Sequence, residues 1–303
     1  MIRALVTGCR GQVGAELVRA LAGRAHVVAQ DRAGFDLSQP DEIAARLREA
    51  QPDVILNAAA YTAVDKAEEE IDAARAVNAV APGILGEEAK RLGALLVHFS
   101  TDYVFDGAKP TPYIETDATN PLGAYGRTKL EGETAVAQSG CDFLTLRTSW
   151  VYGPRGRNFL LTMLRLAAMQ PEIRVVNDQH GAPTSSRQIA AAVVDLLAGG
   201  EADGDVTRDR LARLREARGL YHATAMGETT WFEFAQSIFA EQSRRQGQAF
   251  NAPRVVAIAT KDFPTAARRP ANSRLACGKL ARTLGVRLGD WRTGLSEAMS
   301  ALD

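Results

Sequence analysis

The chain has 303 residues, of which 46% are apolar and 24% charged, and its formal net charge is zero. This composition is typical of a globular protein, and the length allows one large α/β domain, alone or with a smaller companion. The lack of a basic excess argues against nucleic acid or an anionic membrane as a partner. No apolar run reaches the length of a transmembrane helix, and the first residues predict a strand and not a secretory signal. Three separated cysteines favour a reducing cytoplasm.

The first half of the chain alternates short apolar runs with helical patterns. The candidate strands are residues 2–8, 26–31, 53–59, 95–101 and 142–149. The segments between them carry apolar residues at three- and four-residue spacing, which is the period of an amphipathic helix. Strand–helix alternation with short connections predicts a doubly wound α/β fold, with a parallel sheet covered by helices on both faces. Ligands of such a sheet bind at the carboxyl ends of its strands.

The second half is less regular. Helical patterns cover residues 158–169, 187–199 and 229–242, and a short strand is predicted from Gly219. The segment 201–218, EADGDVTRDRLARLREAR, is charge-dense and offers little core material. This pattern predicts a solvated insertion or a flexible loop. We expect Trp231 to anchor its helix to the core.

A glycine-rich loop connects the first predicted strand to the first predicted helix. In TGCRGQVG, Gly8, Gly11 and Gly14 follow a GxxGxxG spacing. Glycines at such a turn let the backbone approach a pyrophosphate, which the free amides at the helix N-terminus stabilise. The second strand ends at Asp31, where a carboxylate can hold an adenosine ribose. The next residue is Arg32, and a guanidinium tolerates a 2′-phosphate, so the pattern leaves NADH and NADPH open.

Three further residues suggest proton chemistry at the same edge of the sheet. The fourth strand ends in STD, with Thr101 at its carboxyl end, and Tyr125 and Lys129 follow at i and i+4 on one helix face. A lysine ammonium lowers the pKa of a nearby phenol, and a hydroxyl can orient the same substrate oxygen. A YxxxK pair alone is more often structural. Its place after the glycine loop, the acid and the strand-end threonine favours catalysis.

With these residues in view, the chain resembles the extended short-chain dehydrogenase/reductases, and among them the family of dTDP-4-dehydrorhamnose reductases. The resemblance extends over nearly the whole chain. The matching segments include GQVGAEL, PDVILNAAAYTAVDKAE, HFSTDYVFDG, ETDATNPLGAYGRTKLEGE, LRTSWVYG, NFLLTMLRLA, VVNDQHGAPTS, GLYHATA, TTWFEFA and RRPANSRL. It implies reduction of the 4-keto group of dTDP-4-dehydro-β-L-rhamnose by NADPH or NADH, the last step in making dTDP-L-rhamnose.

The resemblance also implies roles for individual residues. The cofactor residues would be Gly8, Gly11, Gln12, Val13 and Gly14 at the diphosphate, Asp31 at the adenosine ribose, Asp36 and Leu37 near the adenine, Ala60, Tyr61 and Thr62 on the nicotinamide side, and Lys129 at the nicotinamide ribose. The substrate residues would be Thr101, Asp102, Tyr103, Trp150, Asn158 and Arg269, with Trp150 against the deoxyhexose and Asn158 and Arg269 toward the diphosphate. The catalytic residues would be Thr101, Tyr125 and Lys129. Tyr125 would be the proton donor, and Lys129 would lower its pKa.

The same resemblance implies a division of the chain. Residues 1–150, with about 180–200, would form the NAD(P)-binding Rossmann domain. Residues 151–179 and 219–303 would form most of a nucleotide-sugar domain. Some members of the family form dimers through a magnesium site, to which Glu16 would contribute; the expected second glutamate is Arg187 here, so we predict no metal ligands and leave monomer and homodimer open.

Two other activities remain open at this stage. A reductase of another dTDP-4-keto-6-deoxysugar could share every motif, and some relatives are regulatory subunits without turnover. A 4,6-dehydratase is disfavoured because that reaction usually uses an Asp–Glu pair after the strand-end threonine, whereas Asp102 is followed here by Tyr103.

Overall fold

The predicted parallel sheet is confirmed in the computed structural model, which describes residues 1–200 and 204–302. Its strands in chain order are β1 (Arg3–Thr7), β2 (His26–Gln30), β3 (Val54–Asn57), β4 (Leu95–Thr101), β5 (Asp142–Thr148), β6 (Val151–Tyr152), β7 (Glu172–Val176), β8 (His180–Gly181), β9 (Thr184–Ser185), β10 (Gly219–His222), β11 (Thr229–Thr230) and β12 (Arg254–Ile258). Six of them form the main sheet in the order β10-β5-β4-β3-β1-β2, and every neighbouring pair is parallel.

Helices cover both faces of this sheet. In chain order the helices are α1 (Gln12–Leu21), α2 (Pro40–Ala50), α3 (Ile71–Arg75), α4 (Ala81–Leu92), α5 (Ala124–Ser139), α6 (Phe159–Ala167), α7 (Ser186–Ala198), α8 (Arg208–Glu216), α9 (Trp231–Gln246), α10 (Gly278–Leu284) and α11 (Trp291–Ser300). One apolar core lies between the sheet and α1, α7 and α8, and a second lies between the sheet and α2 and α4. The strand order reverses between β1 and β3, so the loops after these strands open onto a crevice that suits a ligand.

The third core belongs to the later part of the chain. It joins α6, α9 and α11 and is built around fully buried Phe234 and Trp291. The short parallel pair β7 and β12 packs on the same helix α9. Because this core is separate from the two that flank the main sheet, its surface can form a second wall beside the carboxyl ends of the strands.

The prediction of a solvated or flexible insertion at 201–218 is wrong for the part that the structure describes. Thr207 caps α8 by accepting a hydrogen bond from the amide of Arg210. Leu211 and Leu214 lie on one side of this helix and are buried in the core with Val206. Two leucines at i and i+3 on the helix, together with Val206 just before it, are therefore enough to dock a helix that is otherwise charged. Residues 201–203 lie outside the described residues.

A π-helical turn, Ala76–Val80, interrupts the long helical segment between α3 and α4. The apolar spacing of residues 76–93 predicts a helix but does not distinguish a π turn from an α turn. A π turn inserts one extra residue and rotates the side chains that follow it. Here it directs the buried side chain of Asn78 toward the segment after β3 and toward α5.

None of the described residues belongs to a helix that is both long and apolar enough to cross a membrane.

Candidate active site

The loop between β1 and α1 brings the backbone of two glycines into direct contact. Gly8 has a φ of +64°, which favours glycine, and the amide of Gly11 donates to its oxygen at 2.8 Å. A Cβ at Gly14 would lie 2.2 Å from the same Gly8 oxygen, so no larger residue fits. No side chain caps α1, whose N-cap residue is Gly11. The free amides and the open backbone surface therefore fit a dinucleotide pyrophosphate.

A cavity of about 710 Å³ extends from this loop across the carboxyl ends of the strands. Most of the predicted site residues line it, namely Gly8, Gly11, Gln12, Val13, Asp31, Asp36, Leu37, Ala60, Tyr61, Thr62, Thr101, Asp102, Tyr103, Tyr125, Lys129 and Trp150. Gly14, Asn158 and Arg269 do not line it. The structure thus brings residues from five strand ends and the start of α5 into one space.

Asn158 hydrogen-bonds Gln12, which follows the glycine loop, but does not line the cavity. Its Oδ1 accepts from the amide of Leu161, which caps α6, and its Nδ2 donates to Gln12 Oε1 at 2.9 Å. The same Nδ2 donates to the oxygen of Gly153 at 2.9 Å. These bonds use the side-chain amide internally, so Asn158 holds Gln12 in place and its predicted contact with the substrate diphosphate stays a prediction.

Arg269 is likewise engaged within the protein. Its two terminal nitrogens donate to the two oxygens of Asp65, at 3.1 and 2.7 Å. The pair lowers the pKa of the Asp65 carboxyl and raises that of the guanidinium, although burial opposes both shifts. Burial is the largest single influence on Arg269. The Arg269 guanidinium therefore joins the segment after β3 to the turn near Pro270, and its predicted contact with the substrate diphosphate stays a prediction.

Thr101 is the last residue of β4, and its hydroxyl makes hydrogen bonds with the two residues that follow it. Its Oγ1 lies 3.0 Å from Asp102 Oδ1, to which it donates, and accepts from the amide of Tyr103 at 3.2 Å. The polar interaction with the Thr101 side chain tends to lower the pKa of Tyr125. Burial and the Asp102 carboxylate outweigh that interaction and raise the pKa of Tyr125 to about 12. The phenol is therefore protonated at neutral pH, as a proton donor must be.

Lys129 does not tune Tyr125 in the way the sequence predicted. Its Nζ donates to the main-chain oxygen of Phe99, within β4, at 2.6 Å. Burial lowers the pKa of this lysine to about 8, while Glu133 opposes the change. The tyrosine pKa responds to burial, Asp102 and Thr101, and not to the ammonium. The expected lowering of the Tyr125 pKa by Lys129 is therefore not found in the protein alone.

Asp102 is a buried carboxylic acid at the same strand end. Burial raises its pKa to about 6, and hydrogen bonds from Ser273 and Thr101 only partly offset the increase. His98, also within β4, is fully buried beside Asn57, whose Nδ2 lies 3.0 Å from its Nδ1. Burial and the Lys129 charge hold the pKa of His98 well below its ordinary value, so this histidine is a neutral packed residue.

Trp231 does more than anchor its helix. Its ring stacks on Trp150 with centroids 3.6 Å apart and planes 9° apart, and both rings line the cavity. Trp150 has a φ of +49°, a strained conformation for a large side chain. A Cβ at Gly181 would lie 2.5 Å from the Trp150 ring, so a glycine is needed beneath it. The sequence prediction for Trp231 was incomplete because an aromatic residue at a helix start looks the same in a core and in a pocket wall.

Arg10 and Asn78 are the other residues that the sequence reasoning missed. Arg10 lies in the cofactor loop, lines the cavity, and pairs through Nε with Asp31 Oδ2 at 2.7 Å. Its position between Gly8 and Gly11 was the available signal. Asn78 binds the main chain of Tyr61, and no sequence pattern distinguishes such an asparagine from an exposed one.

Arginines surround Glu16, the residue that the family resemblance would place in a magnesium site. Glu16 is buried, and its Oε2 accepts from Arg19 Nε at 2.9 Å. Arg187 and Arg155 approach the same carboxylate at 3.5 and 3.8 Å. No group of three or more metal-ligating residues of the His, Cys, Asp and Glu types occurs within residues 1–200 and 204–302. A carboxylate surrounded by guanidinium groups does not fit a magnesium site.

The fold and the site together define the class of the protein. It has a doubly wound parallel sheet, a glycine loop that fits a pyrophosphate, and a cavity with a strand-end threonine, a tyrosine and a lysine. These features are those of an NAD(P)-dependent oxidoreductase of the extended short-chain dehydrogenase/reductase class. The sequence model of one family, described as the RmlD substrate binding domain, matches residues 2–303. The chain therefore belongs to this family.

Individual relatives agree with this assignment. The chain is 49% identical to a dTDP-4-dehydrorhamnose reductase of Burkholderia thailandensis, over 96% of each chain. A crystal structure of a dTDP-4-dehydrorhamnose reductase from Clostridium acetobutylicum superimposes with a TM-score of 0.88 at 35% identity, over 99% of each chain. The enzyme of that name from Bacillus anthracis, in complex with NADP, gives a TM-score of 0.87 at 31% identity and covers 99% of each chain.

Proposed function

We propose that the protein reduces the 4-keto group of dTDP-4-dehydro-β-L-rhamnose to give dTDP-β-L-rhamnose, with NADPH or NADH as the reductant. The observation that carries this proposal is the full-length identity of 49% to an enzyme so named. The protonated Tyr125 beside Thr101 at the strand end supports it independently, because a ketone reductase needs a proton donor at that place.

The residues that would hold the cofactor follow the cavity from one end to the other. We propose Gly11, Gln12 and Val13 for the diphosphate, Asp31 for the adenosine ribose, Asp36 and Leu37 for the adenine, Ala60, Tyr61 and Thr62 for the nicotinamide side, and Lys129 for the nicotinamide ribose. When bound, the cofactor supplies the hydride that reduces sugar carbon 4. The Lys129 ammonium, which now donates to Phe99, has two further hydrogens for ribose hydroxyls.

Proton transfer falls to the residues of this chain. The substrate oxygen would lie between the Tyr125 hydroxyl and Thr101 Oγ1, so that Thr101 orients it and Tyr125 donates the proton that completes the alcohol. The two rings of Trp150 and Trp231 would pack on the apolar face of the deoxyhexose, and Asp102 and Tyr103 would complete the sugar pocket. Excluding water there strengthens the hydrogen bonds to the developing alkoxide.

Separate roles for the two parts of the chain are also proposed. Residues 1–150 with about 180–200 would bind the cofactor, since α7 packs against α1 in the core of the main sheet. Residues 151–179 and 219–303 would form most of the nucleotide-sugar side. Three unpaired cysteines fit a reducing cytoplasm, and the protein would act there as a monomer or a homodimer.

The decisive experiment measures NADPH oxidation with enzymatically generated dTDP-4-dehydro-β-L-rhamnose and identifies the product by NMR. Tyr125→Phe should lower kcat by about 10²-fold or more, because it removes the proton donor. Tyr221→Phe is the matched control, since its hydroxyl bonds the oxygen of Ala217 in the core region, away from the cavity. Another sugar stereochemistry in the product would identify a different deoxysugar reductase, and no turnover with any such substrate would favour a regulatory relative.

A further inference from the structure

The helix that carries Tyr125 begins without a capping side chain of its own. Its N-cap residue is Gly123, which has no side chain, and Tyr125 is only the second residue of α5. The amides in the first turn of a helix have no intrahelical partner, and a turn without a cap is less stable. A proton donor at this position therefore needs a hydrogen-bond acceptor from elsewhere in the chain to hold it in place.

Glu68 supplies that acceptor from a distant segment. Its Oε1 accepts from the amide of Ala124, the first residue of α5, at 2.7 Å. Its Oε2 lies 3.8 Å from a terminal nitrogen of Arg127, in the same turn of the helix. A carboxylate is also favoured at the positive end of a helix dipole. Glu68 thus caps α5 from 56 positions earlier in the sequence.

The turn that carries Glu68 is itself fixed from two sides. On one side, fully buried Ala67 packs with the start of α5, and Tyr125 packs against the same apolar cluster. On the other side, Asp65 accepts from both terminal nitrogens of Arg269. Because the turn is fixed, its carboxylate can determine where the first turn of α5 lies.

The contact leaves no space for a side chain at the N-cap position. A Cβ at Gly123 would lie 2.5 Å from Glu68 Oε1. The φ of Gly123 is −133°, an extended conformation that any residue adopts. The approach of the carboxylate, and not the backbone conformation, therefore requires a glycine here.

We propose that Glu68 is a positioning residue for proton transfer, because its cap on α5 holds the Tyr125 hydroxyl where the substrate oxygen can accept its proton. Glu68 does not line the cavity, so it acts through the helix and not on the substrate. Misplacing a reacting group by about 1 Å can lower a rate by about 100-fold, so a cap outside the cavity can matter for turnover. The inference deepens the proposed function and rests on it for the role of Tyr125 as donor.

Steady-state kinetics of NADPH oxidation with dTDP-4-dehydro-β-L-rhamnose tests the role of this carboxylate. Glu68→Ala should lower kcat about 10-fold, while KM for the sugar nucleotide and the affinity for NADPH change less than about threefold. Glu68→Gln keeps an oxygen that accepts from the Ala124 amide, so its kcat should stay within about threefold of wild type. Glu69→Ala, which removes an exposed neighbouring carboxylate, is the matched control and should leave kcat unchanged.

A variant on the other side of the contact tests the same geometry and keeps the carboxylate. Gly123→Ala places a methyl group against Glu68 Oε1 and should lower kcat about 10-fold in the wild-type background. In the Glu68→Ala background this clash is absent, so the same substitution should lower kcat by less than about twofold. Equal losses in the two backgrounds would overturn the inference.

The Tyr125→Phe background separates positioning of the donor from a general loss of structure. With the donor absent, Glu68→Ala should change kcat by less than about twofold, and Gly123→Ala replaces it in this comparison if Glu68→Ala does not fold. The same loss with and without the Tyr125 hydroxyl, or a Glu68→Gln variant as slow as Glu68→Ala, would overturn the inference. Absence of turnover by the wild-type protein would instead be a failure of the proposed function.

Discussion

The side-chain amide of Asn78 holds both main-chain polar groups of Tyr61. Asn78 Oδ1 accepts from the Tyr61 amide at 2.9 Å, and Nδ2 donates to the Tyr61 oxygen at 3.0 Å. The same Nδ2 donates to Thr128 Oγ1 at 3.2 Å, and that hydroxyl donates to the oxygen of Tyr125 at 3.0 Å. One buried amide in the π turn therefore links the loop that we propose to face the nicotinamide to the helix that carries the proposed proton donor.

Replacing Asn78 should uncouple these two parts of the site. Asn78→Ala leaves the buried main-chain groups of Tyr61 without partners, which costs about 1–3 kcal/mol of unfolding free energy. We also expect a fall in kcat of about 10-fold or more, because the loop and α5 lose their common support. Urea unfolding and steady-state kinetics measure the two effects. Asn120→Ala, which removes an exposed bond to Asp106, is the control; an equal kinetic defect there would contradict the specific role of Asn78.

Asp102 should make the folded state less stable as the pH rises. Its folded pKa of about 6 lies above the ordinary 3.8, so the folded protein binds more protons than the unfolded chain between these values. Its contribution is therefore greatest below pH 4 and declines through pH 6, by about 3 kcal/mol in total. Urea unfolding from pH 4 to pH 7.5 should show that Asp102→Asn gains stability relative to wild type over this range.

The matched variant for that titration is Asp106→Asn. Hydrogen bonds from the amide of Ala108 and from Asn120 lower the pKa of Asp106 below its ordinary 3.8. Its stabilising contribution is therefore lost only as the pH falls below that value, and Asp106→Asn should differ from wild type by a constant amount between pH 4 and pH 7.5. If Asp102→Asn and wild type keep a constant difference between pH 4 and pH 7.5, the carboxyl of Asp102 does not titrate in this window.

The stacked pair of Trp150 and Trp231 should determine sugar binding more than catalysis. Trp231→Ala removes a ring contact that stabilises by about 0.5–1.5 kcal/mol, while the Trp150 backbone keeps its strain. We expect KM for the sugar nucleotide to rise about 10-fold, with kcat changed less than about threefold and NADPH binding unchanged.

Near-ultraviolet circular dichroism gives an independent measure of this stack. Two parallel indoles at this distance couple electronically, so the coupled signal should disappear in Trp231→Phe. It should persist in Trp291→Phe, whose indole lies in the core of α11. A kcat loss larger than the KM change in Trp231→Ala would assign this residue to the chemical step instead.

Magnesium should have no effect on this protein. Because arginines surround Glu16, addition of Mg²⁺ or EDTA should shift Tm by less than about 1 °C. Arg187→Glu places a second carboxylate beside Glu16 and should make Tm rise with Mg²⁺, whereas Arg187→Gln should not. A stabilising effect of Mg²⁺ on the wild-type protein would contradict the displacement of the metal by arginine.

The sequence predicted the fold well because the signals are local. Each strand of the first half is a short apolar run, and each end fell within two residues of the observed one. The α8 helix was missed because three apolar residues among many charged ones give a weak pattern, and only the tertiary structure shows what Leu211 and Leu214 contact. The π turn was not predicted, and Asn78, which lies in it, contacts residues that are distant in sequence.

The sequence predicted most of the residues that share the cavity, but it predicted their contacts and pKa shifts less well. Motif order placed Thr101, Tyr125 and Lys129 in one cavity, as found. Ion pairs could not be foreseen: Arg269 and Asp65 are 204 positions apart, and Arg10 meets Asp31 only because β1 and β2 are neighbours in the sheet. Electrostatics depends on such pairs and on burial, so the direction of the Tyr125 pKa shift was wrong in the sequence prediction.

The long-range clamp between Asp65 and Arg269 has a consequence for the order of folding during synthesis. The glycine loop, Thr101, Tyr125 and Lys129 all leave the ribosome well before Arg269. Ser273, whose side chain influences the pKa of Asp102, emerges later still. The nascent sheet can therefore form while one side of its crevice is still open to solvent. The final segment places Ser273 near Asp102 and Arg269 against Asp65. We therefore expect the buried surroundings that raise the pKa of Asp102 to be completed only when this segment docks.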